Sequence, residues 1–332
     1  MNHYSHEVKV AVRAALDASL LCRQVQRDLT GELSFTKSDR SPVTVADYGA
    51  QAIISKLLKE SFPEDPIIAE EDSLELKTPD HSGILAQVTR YVKQHIPGAS
   101  PEDVCGWIGS RSSSLADRSW ILDPIDGTAG FLRGEQYAIA LALIEKGNVT
   151  LGVLACPNLH VETGRPEGAR GCLFLAVKGR GSAQMDMAGE NKQTLSTPKI
   201  GDISEVLYTE SVEADHCDHR FHRHIAYILG ITRPPLRIDG QVKYGIVARG
   251  ETALYLRIPA PSEQGFKENI WDHAAGVLVA EEAGGSVTDA FGHPLDFASG
   301  LKLSRNYGIV VTNGIPHNPV LDALGFRKGN NS

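Results

Sequence analysis

The sequence has no excess of basic residues, no paired cysteines and no long apolar run, and each absence narrows what the chain can be. Lysine and arginine number 33 against 41 aspartates and glutamates, a formal net charge of -8. Binders of polymeric nucleic acid carry a basic surface, so the balance argues against that role. It leaves room for a small anionic substrate, which metal ions and a few local basic groups can hold. The five cysteines, Cys22, Cys105, Cys156, Cys172 and Cys217, are odd in number, widely spaced and form no CxxC pair. That is the usage of a reducing compartment, not of a disulfide framework. No apolar stretch approaches the ~20 residues of a membrane span. The first residues, MNHYSHEVKV, lack the charged-then-apolar pattern of a signal peptide. A cytoplasmic, monomeric protein is expected, with neither membrane nor nucleic acid as partner.

What is present belongs to an ordinary globular enzyme: 332 residues, 42% hydrophobic and 22% charged, with glycine and proline scattered. Length allows one large domain or two that share an interface. Apolar or small residues at Val8, Val12, Ala15, Ser19, Cys22, Val25 and Leu29 recur at spacings of three and four, which predicts a helix over 6–29. A second helix is predicted from Asp47 to just before Pro63, then a short buried strand at 66–69. Residues 77–117 read as the least regular part, with a helix around 85–96 and an exposed SRSSS loop. Strands follow at 119–122, 137–145, 149–155, 173–178 and 181–185. Beyond residue 200 the texture alternates, with strands at 206–209, 236–238, 253–257 and 309–312 and helices at 219–229, 242–249 and 271–283. The expected organisation is an α+β part over 1–200, an α/β part over 201–326 and a tail, 327–332, with the site between the two parts.

The informative residues are acids at element ends. In Asp123-Pro124-Ile125-Asp126-Gly127-Thr128 a buried-type strand delivers two carboxylates three residues apart, and Gly127 permits a tight turn or close approach by a ligand. Such carboxylates cannot be both buried and charged without compensation. A divalent cation supplies it, and magnesium favours oxygen ligands. Taken singly, each acidic motif has a plain structural explanation: a strand-to-turn junction here, a helix cap at Asp47, a solvated loop at Glu70-Glu71, a first-turn acid at Asp272. Their joint occurrence does not.

In that order, Asp47, Glu70-Glu71, DPIDGT and Trp271-Asp272-His-Ala-Ala-Gly276, the motifs resemble the lithium-sensitive, magnesium-dependent phosphatases of the inositol monophosphatase superfamily. The resemblance spans roughly residues 5–315. Within that superfamily the segments 130–138 (GFLRGEQYA), 156–159 (CPNL) and 294–297 (PLDF) look most like the bisphosphate nucleotidases known as halotolerance proteins. The resemblance implies a layered αβαβα sandwich and hydrolysis of the 3′-phosphate of 3′-phosphoadenosine 5′-phosphate, or of its 5′-phosphosulfate analogue, within sulfate assimilation. It further implies that Glu70, Asp123 and the Ile125 carbonyl hold one magnesium, and that Asp123, Asp126 and Asp272 hold a second. Glu70 would serve a weaker third site. Thr128, hydrogen-bonded to Asp47, would take the proton of the attacking water. Substrate contacts are implied at Gly127, Thr128, His216, Gly240, Lys243, Arg257 and Asp272. One departure stands out: yeast-like nucleotidases carry serine where this chain has Gly240, so a hydroxyl contact is lost there.

Two other patterns attract weaker readings. Cys217, His219 and His222 invite a zinc site, but no second Cys/His pair closes a tetrahedron, and a helix with incidental histidines accounts for them. Lys178-Gly179-Arg180-Gly181 has the glycines of a phosphate loop without its GxxxxGK[ST] pattern, and a hairpin turn suffices. The rival functions are an inositol-phosphate phosphatase of the same superfamily and a catalytically inactive nucleotide- or metal-sensing module.

Overall fold

The computed structural model of the chain describes residues 4–28, 34–36, 42–165, 167–198, 200–213, 217–259 and 265–327. Helix α1 (Ser5–Arg27) buries a stripe of Ala11, Ala14, Ala15, Ala18, Leu21, Cys22 and Val25. The stripe is richer in alanine than the sequence pattern indicated, and Val8 and Val12 lie only at its margin. A small hairpin, β1 (Ser34–Thr36) and β2 (Pro42–Thr44), leads into α2 (Val45–Ser61). Thr44 caps α2 by accepting from the amides of Ala46 and Asp47, while Asp47 accepts back from the Thr44 amide at 2.8 Å. This reciprocal box starts the helix two residues before the predicted position.

The large sheet runs in the order β3 (Ile67–Ala69), β4 (Arg118–Asp126), β5 (Ala138–Glu145), β6 (Asn148–His160), β7 (Arg170–Val177), β8 (Ser182–Asp186), β9 (Gln193–Thr194). Only β3 and β4 pair in parallel. Between them come α3 (Ser82–His95) and α4 (Pro101–Ile108). The second of these lies in the stretch read as irregular. Its start was nevertheless written in Ser100-Pro101-Glu102-Asp103, where Ser100 and Asp103 form a capping box around a proline at the first helical position. The short helix α5 (Thr128–Leu132) follows β4.

Alternate residues of the large sheet feed two cores. Trp120, Leu122, Leu141 and Val153 pack with α1 and α2 on one face. Ile121, Ala140, Leu154 and Phe174 point the other way, toward α7 (Val242–Ala248) and α8 (Ala274–Glu282). Residues 274–280 of α8 are all buried, as expected for a helix with sheets on both sides.

The second sheet has the order β11 (Leu236–Arg237), β10 (Tyr208–Glu210), β12 (Leu254–Arg257), β14 (Ile309–Thr312), β13 (Ser286–Thr288). Tyr255, Ile309 and Val311 join the core around α7 and α8, whereas Leu254, Leu256 and Val310 face α6 (His219–Ile228) and α9 (His317–Leu324). Three apolar cores, the middle one on both sides of α7 and α8, thus join five layers into an αβαβα sandwich. Of the tail, only Arg327 is among the described residues.

One irregularity positions the site. Asp123 opposes Ala140 and Asp126 opposes Ala138, so three steps along β4 match two along β5. In a regular strand, residues three apart point to opposite faces. The extra residue, at a proline that cannot donate to the ladder, turns both aspartates to the α7–α8 side.

Candidate active site

Glu70, Asp123, Ile125, Asp126, Gly127, Thr128, Gly240, Lys243, Arg257 and Asp272 all line one cavity of about 220 Å³. They come from the ends of β3, β4 and β12, the starts of α5 and α7, and the turn before α8. Asp47 lies behind the wall, fully buried, and reaches the cavity through Thr128. His216 lies outside the described residues.

Each acid is held by local structure. The Glu70 amide donates to the Leu122 carbonyl at 3.2 Å, which sets the end of β3 beside Asp123. Gln51 grips the next residue from both sides, donating to the Glu71 carbonyl at 2.7 Å and accepting from its amide at 3.0 Å. Glu71 is therefore a buried structural partner, not the solvated acid its sequence position indicated. The Ile125 amide donates to Asp123 Oδ1 at 3.1 Å. Asp272 precedes α8 by two residues, within the segment read as helix from 271, and Asn269 donates to its Oδ2 at 3.3 Å.

These carboxylates repel one another. Burial, and then the charges of Glu70, Asp126 and Asp272, push the Asp123 carboxyl well above its ordinary range. Burial, Asp126 and Glu70 do the same to Asp272. Asp126 is pushed up to about 6 by burial, although Lys243, Gln241 and Arg257 pull it down. An all-oxygen cluster that resists its own ionisation fits a hard divalent cation, which would supply the missing positive charge.

Thr128 Oγ lies 3.3 Å from Asp47 Oδ1 and 3.2 Å from the Ile125 carbonyl, and its single hydrogen serves one of them at a time. The other Asp47 oxygen accepts from the Thr44 amide at 2.8 Å and the Thr44 hydroxyl at 2.6 Å.

Opposite the acids stand two buried cations. Lys243 donates to the Ile238 carbonyl at 3.2 Å and sits over the Tyr255 ring. Burial lowers its ammonium to about 8 against the attraction of Asp126. Arg257 donates through Nε to Glu268 at 2.6 Å. Burial would raise the Glu268 carboxyl, but Arg257 and His273 outweigh it and hold the group far below its ordinary range. His273 completes the set through Tyr244, with Nδ1 and the phenol oxygen 2.9 Å apart.

The backbone closes tightly between the two halves of the cavity. A Cβ on Gly240, whose φ is +62°, would stand 2.2 Å from the Asp126 carbonyl oxygen. A serine side chain would not fit this backbone, so glycine at 240 is a requirement of close approach. Gly127, at φ +95°, meets the same strip from the other side.

Several contributors escaped the sequence reading. Gln241 donates to the Trp271 carbonyl at 2.8 Å and accepts from the Gly276 amide at 3.0 Å, tying α7 to the turn that carries Asp272. Asp239 lines the cavity and Glu268 supports it through Arg257 and His273, and only Asp239, in the DGQVK segment, had a visible signal beside Gly240. The weaker motifs resolve plainly. Cys217, His219 and Glu210 do place ligand atoms within 4.8 Å of one another. The Glu210 oxygens are already engaged by Arg237 at 3.0 Å and His222 at 3.2 Å, however, and His219 meets the Ser211 carbonyl. In the 178–181 hairpin the amides of Gly179 and Gly181 donate to the carboxylate of Glu282, each at 2.7 Å.

Comparison with known proteins identifies the family. A 3'(2'),5'-bisphosphate nucleotidase of Oryza sativa is 43% identical, the match covering 94% of this chain and 91% of the rice protein. Proteins of the same name from Dictyostelium discoideum and Schizosaccharomyces pombe are each 39% identical, over 95% and 92% of this chain and 95% and 91% of their own lengths. Among solved structures, an IMPase from Thermotoga maritima shares the fold with a TM-score of 0.65 at 20% identity, covering 96% of both chains. CysQ from Bacteroides thetaiotaomicron does so with 0.61 at 21% identity, over 95% of this chain and all 100% of its own. The profile of the Inositol monophosphatase family, a family of metal-dependent phosphatases, matches residues 3–318, and the chain belongs to that family.

Proposed function

We propose that the chain is a magnesium-dependent 3'(2'),5'-bisphosphate nucleotidase, which hydrolyses 3′-phosphoadenosine 5′-phosphate to AMP and phosphate and acts likewise on the 5′-phosphosulfate analogue. The observation that carries this reading is the pairing, in one cavity, of mutually repelling carboxylates with two buried cations. The acids suit the metals that serve the scissile phosphate. Lys243 and Arg257 suit the phosphate that stays. The names of the relatives, at 36–43% identity over most of the chain, point to the same substrate class. On this reading residues 1–200 carry most metal ligands, and 201–326 carry the nucleotide contacts and Asp272.

Glu70, Asp123 and the Ile125 carbonyl would hold one magnesium, Asp123, Asp126 and Asp272 a second, and Glu70 a weaker third. Magnesium bound there supplies positive charge to the attacking and leaving oxygens of an in-line displacement. The chain's own part is positioning and proton transfer. A cation on the Ile125 carbonyl would leave the Thr128 hydrogen to Asp47, and the hydroxyl oxygen would then present a lone pair to the attacking water. Thr128 takes a proton from that water as it passes its own to Asp47. Asp47 is held for this by the amide and hydroxyl of Thr44. Backbone amides after Gly127, at the start of α5, can cradle the phosphate. The Gly240 backbone, pressed against Asp126, bounds the ribose side.

Parallel assays with 3′-phosphoadenosine 5′-phosphate, its phosphosulfate analogue and inositol phosphates test the proposal. Preference for an inositol phosphate would overturn the substrate. Tight nucleotide binding without magnesium-stimulated phosphate release would favour the inactive sensing module. Lithium inhibition belongs to the same reading, and activity indifferent to millimolar lithium would count against it.

A further inference from the structure

We infer that the groove between α6, the 231–235 loop and β11 is a second ligand site, built for a phosphorylated aromatic small molecule of the nucleoside monophosphate type. The groove encloses about 740 Å³ on the outer side of the five-stranded sheet and shares no lining residue with the active-site cavity. That volume falls within the ~300–1,000 Å³ usual for small-molecule sites.

Its floor is Tyr208, whose ring is 2% exposed and packs in the outer core with Ala226 and Ile231. The Tyr208 hydroxyl faces the groove and makes no hydrogen bond among the described residues. The phenol oxygen is open to the groove rather than sealed in the core, so a ligand entering there would find a hydroxyl available to donate to it.

The charge around it says what that group is. Arg223, Arg233 and Arg237 line the groove, and no carboxylate does. Arg237 pairs with Glu210 through Nε, and its side chain remains 45% exposed, which leaves the two terminal nitrogens for a ligand. Arg223 and Arg233 carry no ion pair among the described residues. In a chain of net charge -8, three guanidinium groups lining one groove, with only Arg237 of them paired to a carboxylate, are the reverse of the average surface. Guanidinium forks match phosphate oxygens, and a phenol adds one further donor.

Arginines alone would accept any phosphate. Much of the remaining lining is apolar: Tyr227, 80% exposed on α6, shares it with Ala226, Ile231 and the Pro234-Pro235 pair. An exposed phenol ring in the lining offers a stacking surface for a base, and the groove's volume accommodates base, ribose and phosphate together.

Calorimetric titration with AMP, adenosine, ribose 5-phosphate and a phosphotyrosine peptide tests this on the full chain and on an Arg223→Ala/Arg233→Ala double variant. Both arginines are exposed and outside the active-site cavity, so phosphate release should match wild type, which shows that the variant is folded. AMP can also enter the active site, so the readout is the number of sites. Wild type should bind one more AMP than the double variant, or bind that second AMP at least tenfold more tightly. Adenosine and ribose 5-phosphate should each fill the groove at least tenfold more weakly than AMP. Equal AMP uptake by the two proteins overturns the proposal. So does ribose 5-phosphate binding as tightly as AMP, or a phosphotyrosine peptide displacing AMP from the groove at lower concentration.

Discussion

Two groups of buried acids lie side by side in this protein and are treated in opposite ways. Asp123, Asp126 and Asp272 have carboxyls driven upward by burial and by one another. Glu268, a few residues from Asp272, is driven downward, because Arg257 and His273 meet it directly. Burial is common to both. The difference is whether the protein supplies the counter-charge itself or leaves it to be supplied. A closed ion pair fixes a neighbour in place, and an open cluster holds a place for a cation.

The sharpest way to break this comparison is Asp126→Asn, which keeps shape and removes one of the repelling charges. Magnesium-stimulated phosphate release should fall by about 10³-fold or more, a loss of the size expected when a key electrostatic group is removed. The metal-free variant should nevertheless melt at a higher temperature than metal-free wild type in calorimetry. A lower melting point would mean that the acids do not repel as described.

Glu268→Gln should act in the other direction. It leaves the Arg257 guanidinium buried without its partner, which costs about 3–5 kcal/mol by the usual measure of a broken buried pair. Denaturant unfolding measures this, and wild-type stability would show that Arg257 finds another acid. Lys243→Met sharpens the division between the two ends of the cavity. KM for the bisphosphorylated nucleotide should rise about 10–100-fold, the loss of one charged hydrogen-bond donor, with kcat changing less. A uniform fall in kcat instead would place Lys243 at the reacting phosphate.

The smallest effect is the pH dependence of metal-free stability. A free aspartate titrates near ~3.9, and the folded cluster titrates higher. The folded state therefore binds more protons than the unfolded one between those values. Its stability is greatest below about pH 4 for these groups and declines as pH rises through about 6, where Asp126 titrates, and beyond. Melting points measured in chelator should fall between pH 5 and pH 7.5, and magnesium should remove the difference. A metal-free protein equally stable at both would contradict the raised carboxyls.

What could be read in the sequence divides along physical lines. Glu70, DPIDGT and Asp272 stood out because acids at element ends need a reason, and the cavity does gather them. The alternation of strands and helices past residue 200 was equally visible, since burial writes a period into the chain. Gln241 and Glu268 were not visible. They work through amide and ion-pair contacts to residues brought near only by folding, and such contacts leave no periodic trace. Helix α4 was overlooked although Ser100 and Asp103 announce its start, because its 8 residues are too few for a clear apolar stripe. Gly240 appeared to be a lost serine contact, and only the 2.2 Å approach to Asp126 shows why a side chain is excluded.

The mismatch between β4 and β5 has a consequence for how this site can vary. Because two residues between the aspartates on one strand face a single residue on the other, the number of residues separating Asp123 from Asp126 decides which side of the sheet each acid serves. A chain shortened by one residue there would still possess both aspartates. With the ladder regular again the two acids would stand two places apart and still share a face, but the Ile125 carbonyl and the turn into α5 would be carried out of line. Substitutions at Pro124 or Ile125 can therefore be gradual in effect, whereas deleting either one removes the bulge and displaces the carbonyl and helix start that the two acids work with.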